Sequence, residues 1–255
     1  MLTEERRRRI LTRLARDGQV VAKTLSVELS LSEDTIRRDL RELARDGLLQ
    51  RVHGGALPTS RAAQDIKTRA SIFPAEKAAI GRAAAAMIKP NQLVFIDGGT
   101  TALRLAACLD LDLTVTIVTH SPVVAAALAE HRAEVILIGG RMFKHSMVSV
   151  GAAAIEAIGR IRGDIYFMGV TGIHPDIGLS TGDAEEAHIK RALMAAAAET
   201  VVLASPEKLG AASPHIVAPI ASVSTLIMSE TTPASVAAIY EQGGVTVVRA
   251  QADRT

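Results

Sequence analysis

Seven short apolar runs rich in β-branched residues recur along the last two thirds of the chain. They cover residues 93–96, 115–119, 135–138, 165–168, 200–204, 225–228 and 245–248. Each run has the length of a buried strand, and helical stretches lie between them near 101–109, 122–130, 152–161, 184–198 and 233–242. Such alternation predicts a mostly parallel α/β sheet covered by helices on both faces.

Composition narrows the class of protein. The 255 residues suggest one or two domains, and with 2% aromatic residues the core must be built from aliphatic side chains. The single Cys108 excludes an intrachain disulfide framework and fits a reducing cytoplasm. No apolar run reaches about 18 residues, and Glu and four arginines stand where a signal peptide would need an apolar core. We therefore expect a cytoplasmic protein without a membrane partner.

The first 57 residues have a different pattern. Helical periodicity with apolar stripes predicts helices over 3–17 and 22–29, and Gly18 ends the first. A third helix is predicted from the capping residue Ser32 to Gly47, after the short connection Ser30-Leu31. This layout is typical of a helix-turn-helix.

The third helix combines an apolar side with an arginine-rich side. Ile36, Leu40 and Leu43 share one face, and Asp34, Arg38, Arg41 and Arg45 lie opposite, with Thr35 and Arg37 on the flanks. An arginine fork can bind guanine edges or phosphates in a major groove. The same charges would also suit an ordinary solvated surface helix, so the surrounding elements matter.

A β-hairpin, or wing, is predicted after Gly47 because apolar and polar residues alternate around Gly54-Gly55. Arg51 and His53 lie near its tip, where they could contact a phosphate or the minor groove. Residues 1–57 hold 12 Lys and Arg against 9 Asp and Glu, a net charge of +3, whereas the remainder carries −1. This excess is consistent with a nucleic-acid partner.

Polar and glycine-rich loops follow several predicted strands. Ligands of open parallel sheets bind at the carboxyl ends of the strands. There, glycine amides, threonine hydroxyls and a helix N-terminus can bind an anion. The loops contain Asp97, Gly98, Gly99, Thr100 and Thr101; His120; Gly139, Gly140 and Arg141; Gly172; and Lys208, and the helix that follows the loop after the fourth strand carries Glu186 and Lys190. Glu186 and Lys190 could instead form a surface helical pair. Together the loops predict a pocket for a small polar anion.

Residues 58–72 contain Pro, Thr, Ser and mixed charges without a sustained apolar period. They predict a linker or an irregular crossing segment. The predicted division is a DNA-binding domain over 1–57, a linker over 58–73 and an α/β domain over 74–255 that opens with a helix from Pro74 to Ile88.

These motifs resemble the DeoR family of transcriptional regulators. The N-terminal resemblance lies in Thr35–Leu40, Leu43, Gly47–Leu49 and Arg51–Ala56, which are similar to the family's winged helix-turn-helix signature. The resemblance implies binding to operator DNA, most often to repress genes of sugar catabolism. It puts Ser32, Thr35, Arg37 and Arg38 at the DNA-facing part of the recognition helix.

The resemblance continues through the α/β domain. It implies a sugar-phosphate sensor with a fold related to ribose-5-phosphate isomerase, with Asp97–Thr101 as the phosphate loop. Further matching positions are Gly139-Gly140, Asp164, Gly169, Gly172, Glu186-Ala187, Lys190-Arg191 and Lys208. Two positions depart from the family pattern: His120 replaces the usual Asn, and Ser205 replaces the usual Asp.

Three hypotheses follow from the sequence. The first is a DNA-binding regulator, most often a repressor, that forms a homo-oligomer (dimer or tetramer) and responds to a sugar phosphate as effector, without a cofactor. The second is a sugar-phosphate isomerase or deaminase fused to a DNA-binding module, with a general base among Asp97, Asp164, Asp183 and Glu186. The third treats the N-terminal segment as an interaction module only. No catalytic spacing and no metal site are predicted, since the seven histidines are scattered.

Overall fold

The computed structural model describes residues 2–60, 62 and 64–252. Its N-terminal part consists of helix α1 (Thr3–Asp17), strand β1 (Val20–Val21), helices α2 (Ala22–Leu29) and α3 (Glu33–Arg45), and strands β2 (Gln50–Val52) and β3 (Gly55–Leu57). The three predicted helices and the hairpin are confirmed. Strand β1 was not predicted; it pairs antiparallel with β3 and extends the wing to three strands in the order β1-β3-β2.

The apolar face of α3 packs into a small core of its own. Ile36, Leu40 and Leu43 are each at most 2% exposed, and they pack with Ile10 and Leu14 of α1. The predicted inward stripe is therefore confirmed, and the arginines on the opposite side are left to solvent.

The rest of the described chain contains the helices and strands of an α/β unit, as predicted. In chain order they are α4 (Ile66–Ala70), α5 (Pro74–Ala85), β4 (Leu93–Ile96), α6 (Thr100–Ala107), β5 (Thr116–Thr119), α7 (Pro122–Ala127), β6 (Glu134–Leu137), β7 (Arg141–Phe143), β8 (Val148–Val150), α8 (Ala152–Gly159), β9 (Gly163–Met168), β10 (Gly172–His174), β11 (Gly178–Thr181), α9 (Ala184–Ala196), β12 (Ala197–Ala204), β13 (His215–Ala218), β14 (Thr225–Ser229), α10 (Ala234–Gln242) and β15 (Thr246–Ala250).

All seven predicted strands belong to one parallel sheet. Their order is β15-β14-β12-β9-β4-β5-β6, and every pairing within it is parallel. Two smaller assemblies were not predicted: the β7–β8 hairpin and the antiparallel sheet β10-β11-β13. The order reverses direction around β4 and β9, and in such sheets a crevice forms at the carboxyl ends of the strands beside this point.

Both faces of the sheet are covered. Along β9, Tyr166 and Met168 point into one apolar core, and Ile165 and Phe167 point into a second core on the opposite face. Alternate residues thus enter opposite cores, which is why the strands read as continuous apolar runs rather than as alternating ones.

The segment predicted as a linker contains more structure than expected. Helix α4 forms within it, because the Asp65 carboxylate caps the helix by accepting from the Lys67 and Thr68 amides. Arg61 and Ala63 of this segment lie outside the described residues, as do Met1 of the first predicted domain and 253–255 of the last. Helix α5 ends at Ala85, before the predicted Ile88, and its Lys77 is buried beside Glu207.

Candidate functional site

The exposed face of α3 presents the arginines predicted to contact DNA. Ser32 caps the helix, with its hydroxyl accepting from the Thr35 amide at 3.2 Å. Arg37 pairs with Glu33 at 2.7 Å on the surface, and Arg41 is exposed. The Arg38 side chain is 75% exposed and only loosely paired with Glu42 at 3.7 Å. Arg38 and Arg41 are therefore exposed on the face that the sequence predicts to contact DNA.

A buried carboxylate holds this helix in place. Asp39 accepts two hydrogen bonds from the Arg6 guanidinium of α1 and is 3% exposed. Because a two-pronged arginine–carboxylate pair fixes orientation as well as distance, it sets how α3 is presented. The Arg6–Asp39 pair could not be predicted from the sequence, because the two residues are 33 positions apart in the chain.

The wing places Arg51 and His53 at its exposed tip, as predicted. Gly54 has a φ of +79°, which a turn residue there requires. Gly55 is buried in the sheet against β1, so the prediction that this glycine contacts DNA is wrong. A Cβ at this position would lie 1.9 Å from the Val20 carbonyl oxygen, so this glycine is needed for strand packing.

A small cavity, partly open to solvent, lies at the carboxyl ends of the central strands. The loop after β4 forms one wall, where Gly98 and Gly99 precede the N-terminus of α6. Close packing demands a glycine at 98, since a Cβ there would come within 2.2 Å of Val148 Cγ1. The lining residues are Ala62, Arg69, Gly98, Gly99, Thr100, Thr101, Ala102, Ser146, Gly169, Val170, Thr171, Thr181, Glu186, Lys190, Glu207 and Lys208.

Asp97 lies beneath this wall as the centre of a buried network. It is fully buried and accepts from Lys190 Nζ at 2.6 Å, His120 Nε2 at 2.7 Å and the Tyr166 hydroxyl at 3.0 Å. The Gly98 and Gly169 amides also donate to it. Burial alone would raise the pKa of Asp97, but Lys190 and His120 outweigh burial and hold it well below its ordinary value.

The His120–Asp97 pair is a His–carboxylate pair that sequence analysis did not find. Nδ1 of His120 contacts the Ser149 carbonyl at 3.0 Å, and both of the ring's partners are acceptors. Both ring nitrogens are engaged by these two acceptors, so neither is placed to take a proton from a substrate. In this geometry the pair supports the glycine loop rather than acting as a general base.

Among the described residues, the cavity wall carries three cationic side chains beside the two carboxylates Glu186 and Glu207. Lys208 Nζ donates to the Leu203 carbonyl at 3.0 Å, and burial lowers the pKa of Lys208 to about 8. Lys190 pairs with Asp97 rather than with Glu186, so the surface pair considered from the sequence is wrong. Arg69 is the third cation. An anion would be attracted to this wall.

Several buried polar atoms of the cavity have no hydrogen-bond partner within the described part of the chain. The donors are Arg69 Nε, Arg69 Nη2 and the Thr101 hydroxyl, and the acceptor is Glu207 Oε2. Buried polar groups are usually satisfied, so orphans that share one cavity indicate a polar ligand.

The effector residues predicted from sequence divide into three groups. Those lining the cavity are Gly98, Gly99, Thr100, Thr101, Glu186, Lys190 and Lys208. Asp97 and His120 lie beneath it as support. Gly139, Gly140, Arg141 and Gly172 are not among the lining residues, which corrects those four predictions.

The physical reasons for these four differ. Arg141 extends outward to pair with Glu185 at 2.5 Å. Gly140 and Gly172 are required for close backbone packing, where a Cβ would meet the Val150 carbonyl oxygen at 2.7 Å and the Ser180 hydroxyl at 2.6 Å respectively. Gly139 is exposed, and a Cβ built there would meet nothing within 4 Å. Arg69 and Ser146 line the cavity but were missed, because neither belongs to a motif in its own stretch of sequence.

Two structural features are absent from residues 2–60, 62 and 64–252. No helix among them is both long and apolar enough to cross a bilayer. Within the same ranges, no group of three or more His, Cys, Asp or Glu side chains is arranged to hold a metal ion.

A winged helix-turn-helix joined to an α/β unit with a cavity lined by cations and a glycine loop defines a class of ligand-responsive DNA-binding regulators. Residues 6–61 match the DeoR-like helix-turn-helix domain, and residues 73–230 match the DeoR C terminal sensor domain. The chain belongs to the DeoR family and is a DNA-binding transcriptional regulator.

Relatives match over most of their length. The HTH-type transcriptional regulator GlpR of Haloferax volcanii is 36% identical over 97% of this chain and 98% of its own. The glycerol-3-phosphate regulon repressor of Escherichia coli (strain K12) is 32% identical over 82% of this chain and 84% of its own. A ribose 5-phosphate isomerase A structure from Methanocaldococcus jannaschii aligns with a TM-score of 0.39 and 17% identity over 52% of each chain.

Proposed function

We propose that this protein represses a carbohydrate catabolic operon and that a phosphorylated sugar in the cytoplasm modulates its binding to the operator. The observation that carries the proposal is the cavity in which unpartnered donors of Arg69 and Thr101 adjoin Lys190, Lys208 and a glycine loop. The names of two relatives, the glycerol-3-phosphate regulon repressor and the transcriptional repressor GlcR of Bacillus subtilis, are consistent with repression.

The two parts of a sugar phosphate suit different sides of the cavity. The phosphate would accept from the amides that open α6, from the Thr101 hydroxyl and from the cations. Sugar hydroxyls would donate to Glu186 and to the unpartnered Glu207 Oε2. A phosphate-free sugar would leave the cations unsatisfied, so both parts are needed for tight binding.

On the DNA side, Arg38 and Arg41 would contact base edges, and Ser32, Thr35 and Arg37 would contact the backbone or flanking bases. Arg51, His53 and Gly54 of the wing would approach a phosphate or the minor groove. Two half-sites require at least a homodimer, and we propose a dimer or tetramer. We also propose the division into domains 1–57 and 74–255 joined by 58–73.

The test is a thermal-shift screen of the full chain against sugar phosphates and their unphosphorylated parents. A ligand at 100 times its Kd should stabilise the protein by about 2.7 kcal/mol. We expect at least one phosphorylated sugar to raise the Tm and its parent to have no effect. Equal shifts from both, or turnover of the hit into product, would refute the proposal.

A matched pair of variants locates the binding. Lys208→Gln removes a cation of the cavity, and Arg141→Gln removes an exposed one outside it. The first should lose most of the ligand-induced shift, and the second should retain it. Equal responses would mean that the ligand binds elsewhere.

A further inference from the structure

Arg69 reaches the anion cavity from the segment between the wing and the α/β sheet. It lies on helix α4, twelve residues after the last residue of β3 and five before the first residue of α5. Its guanidinium approaches the glycine loop: a Cβ built on Gly99 would lie 4.0 Å from Arg69 Nη1. The wall of the cavity is thus completed by the chain that connects the two parts of the molecule.

The guanidinium is poorly satisfied where it stands. Nε and Nη2 are buried and lack a hydrogen-bond partner among the described residues. Burial lowers the pKa of Arg69, opposed by the nearby Glu186 and Asp97 carboxylates. Arginine nevertheless stays protonated in proteins, so a charged Arg69 guanidinium with two unpartnered N–H groups lines the cavity. Such a group is matched by an anion that accepts two hydrogen bonds.

We propose that Arg69 binds the anionic group of the effector and that this contact couples the cavity to the DNA-binding part. The inference rests on the proposed function, since it assumes that the cavity takes a phosphorylated sugar. It adds to the effector-binding residues of the cavity a side chain that comes from outside the α/β sheet. Effector binding then fixes the position of the connecting segment.

A short series of contacts continues from Arg69 to the recognition helix. Lys77 Nζ donates to the Arg69 carbonyl at 2.7 Å and pairs with Glu207 at 3.1 Å. The Ser60 hydroxyl donates to the Glu207 carbonyl at 3.4 Å, and the neighbouring Thr59 hydroxyl donates to the Gly47 carbonyl at 3.3 Å.

Gly47 lies two residues beyond the end of α3. A ligand that draws Arg69 toward the glycine loop therefore acts on the segment that contacts the end of the recognition helix. Because a ligand shifts an equilibrium only through contacts that differ between states, Arg69 supplies the kind of contact that such coupling needs.

The test compares Arg69→Ala with Lys67→Ala, an exposed cation two residues away on the same helix. Inorganic phosphate and the sugar phosphates of the screen serve as probes for the full chain, with affinity measured by calorimetry. We expect at least tenfold weaker binding for Arg69→Ala, an unchanged affinity for Lys67→Ala, and partial recovery in Arg69→Lys. Unchanged unliganded Tm values would show that the variants are folded.

Hydrogen exchange of residues 64–72 separates a binding role from a purely structural one. The ligand should slow exchange there in the parent protein and in Lys67→Ala, but not in Arg69→Ala. If Arg69→Ala binds the sugar phosphate as tightly as the parent does, the inference is wrong and the proposed function stands. If no phosphate binds the parent protein, the proposed function is wrong and the inference falls with it.

Discussion

Replacing Asp97 by Ala tests whether the buried network supports the cavity. The substitution removes the acceptor of five hydrogen bonds and leaves Lys190 and His120 buried without it. Breaking a buried ion pair by removing one partner costs about 3–5 kcal/mol. At roughly 2–4 °C per kcal/mol for a domain of this size, the Tm should fall by about 6–20 °C.

The control for this experiment is Asp164→Ala. Asp164 is exposed and accepts one hydrogen bond, from the Leu93 amide at 2.7 Å, so its loss should cost about 1 kcal/mol. Urea denaturation and calorimetry of both variants give the comparison. If Asp97→Ala costs no more than Asp164→Ala, the buried network does not stabilise the sensor and the reasoning is refuted.

The pH dependence of the Asp97 effect has a defined sign. Its folded-state pKa is depressed below the unfolded value of about 4, so its stabilisation is fully present above that value and is lost as the pH falls through the folded pKa. The stability difference between parent and Asp97→Ala should be constant from pH 7 to about pH 5 and shrink below pH 4. A difference that already shrinks between pH 7 and 5 would contradict this assignment.

Three further predictions concern the DNA surface, the wing and the cavity. Arg38→Ala should weaken operator binding at least tenfold in an anisotropy titration with an unchanged Tm, because the side chain is 75% exposed; unchanged affinity would exclude Arg38 from the interface. Gly55→Ala should destabilise the protein by about 2 kcal/mol or more in urea, since the added Cβ meets the Val20 carbonyl; a loss under 0.5 kcal/mol would show that β1 can move aside at little cost. Lys208, with a pKa of about 8, should lose its proton between pH 7 and 9. Calorimetry should therefore show the affinity for the sugar phosphate falling over that range in the parent protein and staying constant in Lys208→Gln. Parallel profiles for the two proteins would show that Lys208 does not bind the phosphate.

Local patterns predicted the elements well. The seven apolar runs, the Ser32 cap and the stripe of Ile36, Leu40 and Leu43 depend on neighbours a few residues away, and each was found where predicted. The loop at Gly98–Thr101 was predicted as an anion site for the same reason, since strand, glycines and helix N-terminus are consecutive in the chain.

Pairings between distant residues could not be predicted in this way. Asp39 is held by Arg6, and Glu207 pairs with Lys77, 130 positions earlier in the chain. The sequence did not predict Arg69 as a cavity residue, because its segment lacks a periodic pattern. Folding brings Arg69 close to Gly99, which is 30 positions further along the chain. Conversely, Gly55 and Gly172 resembled ligand-binding glycines, but they serve close backbone approach, which one sequence cannot distinguish.

The most direct test of the account measures operator binding with and without effector. DNA fragments selected by the protein from its genome would be titrated with the full chain by fluorescence anisotropy, in the presence of each sugar phosphate and of its unphosphorylated parent. We expect sequence-specific binding to DNA. Its affinity should change at least fivefold with one phosphorylated sugar and remain the same with the unphosphorylated parent. In Lys208→Gln the affinity should no longer change with the phosphorylated sugar. Binding that does not discriminate between sequences, or that responds to none of the phosphates, would contradict the account.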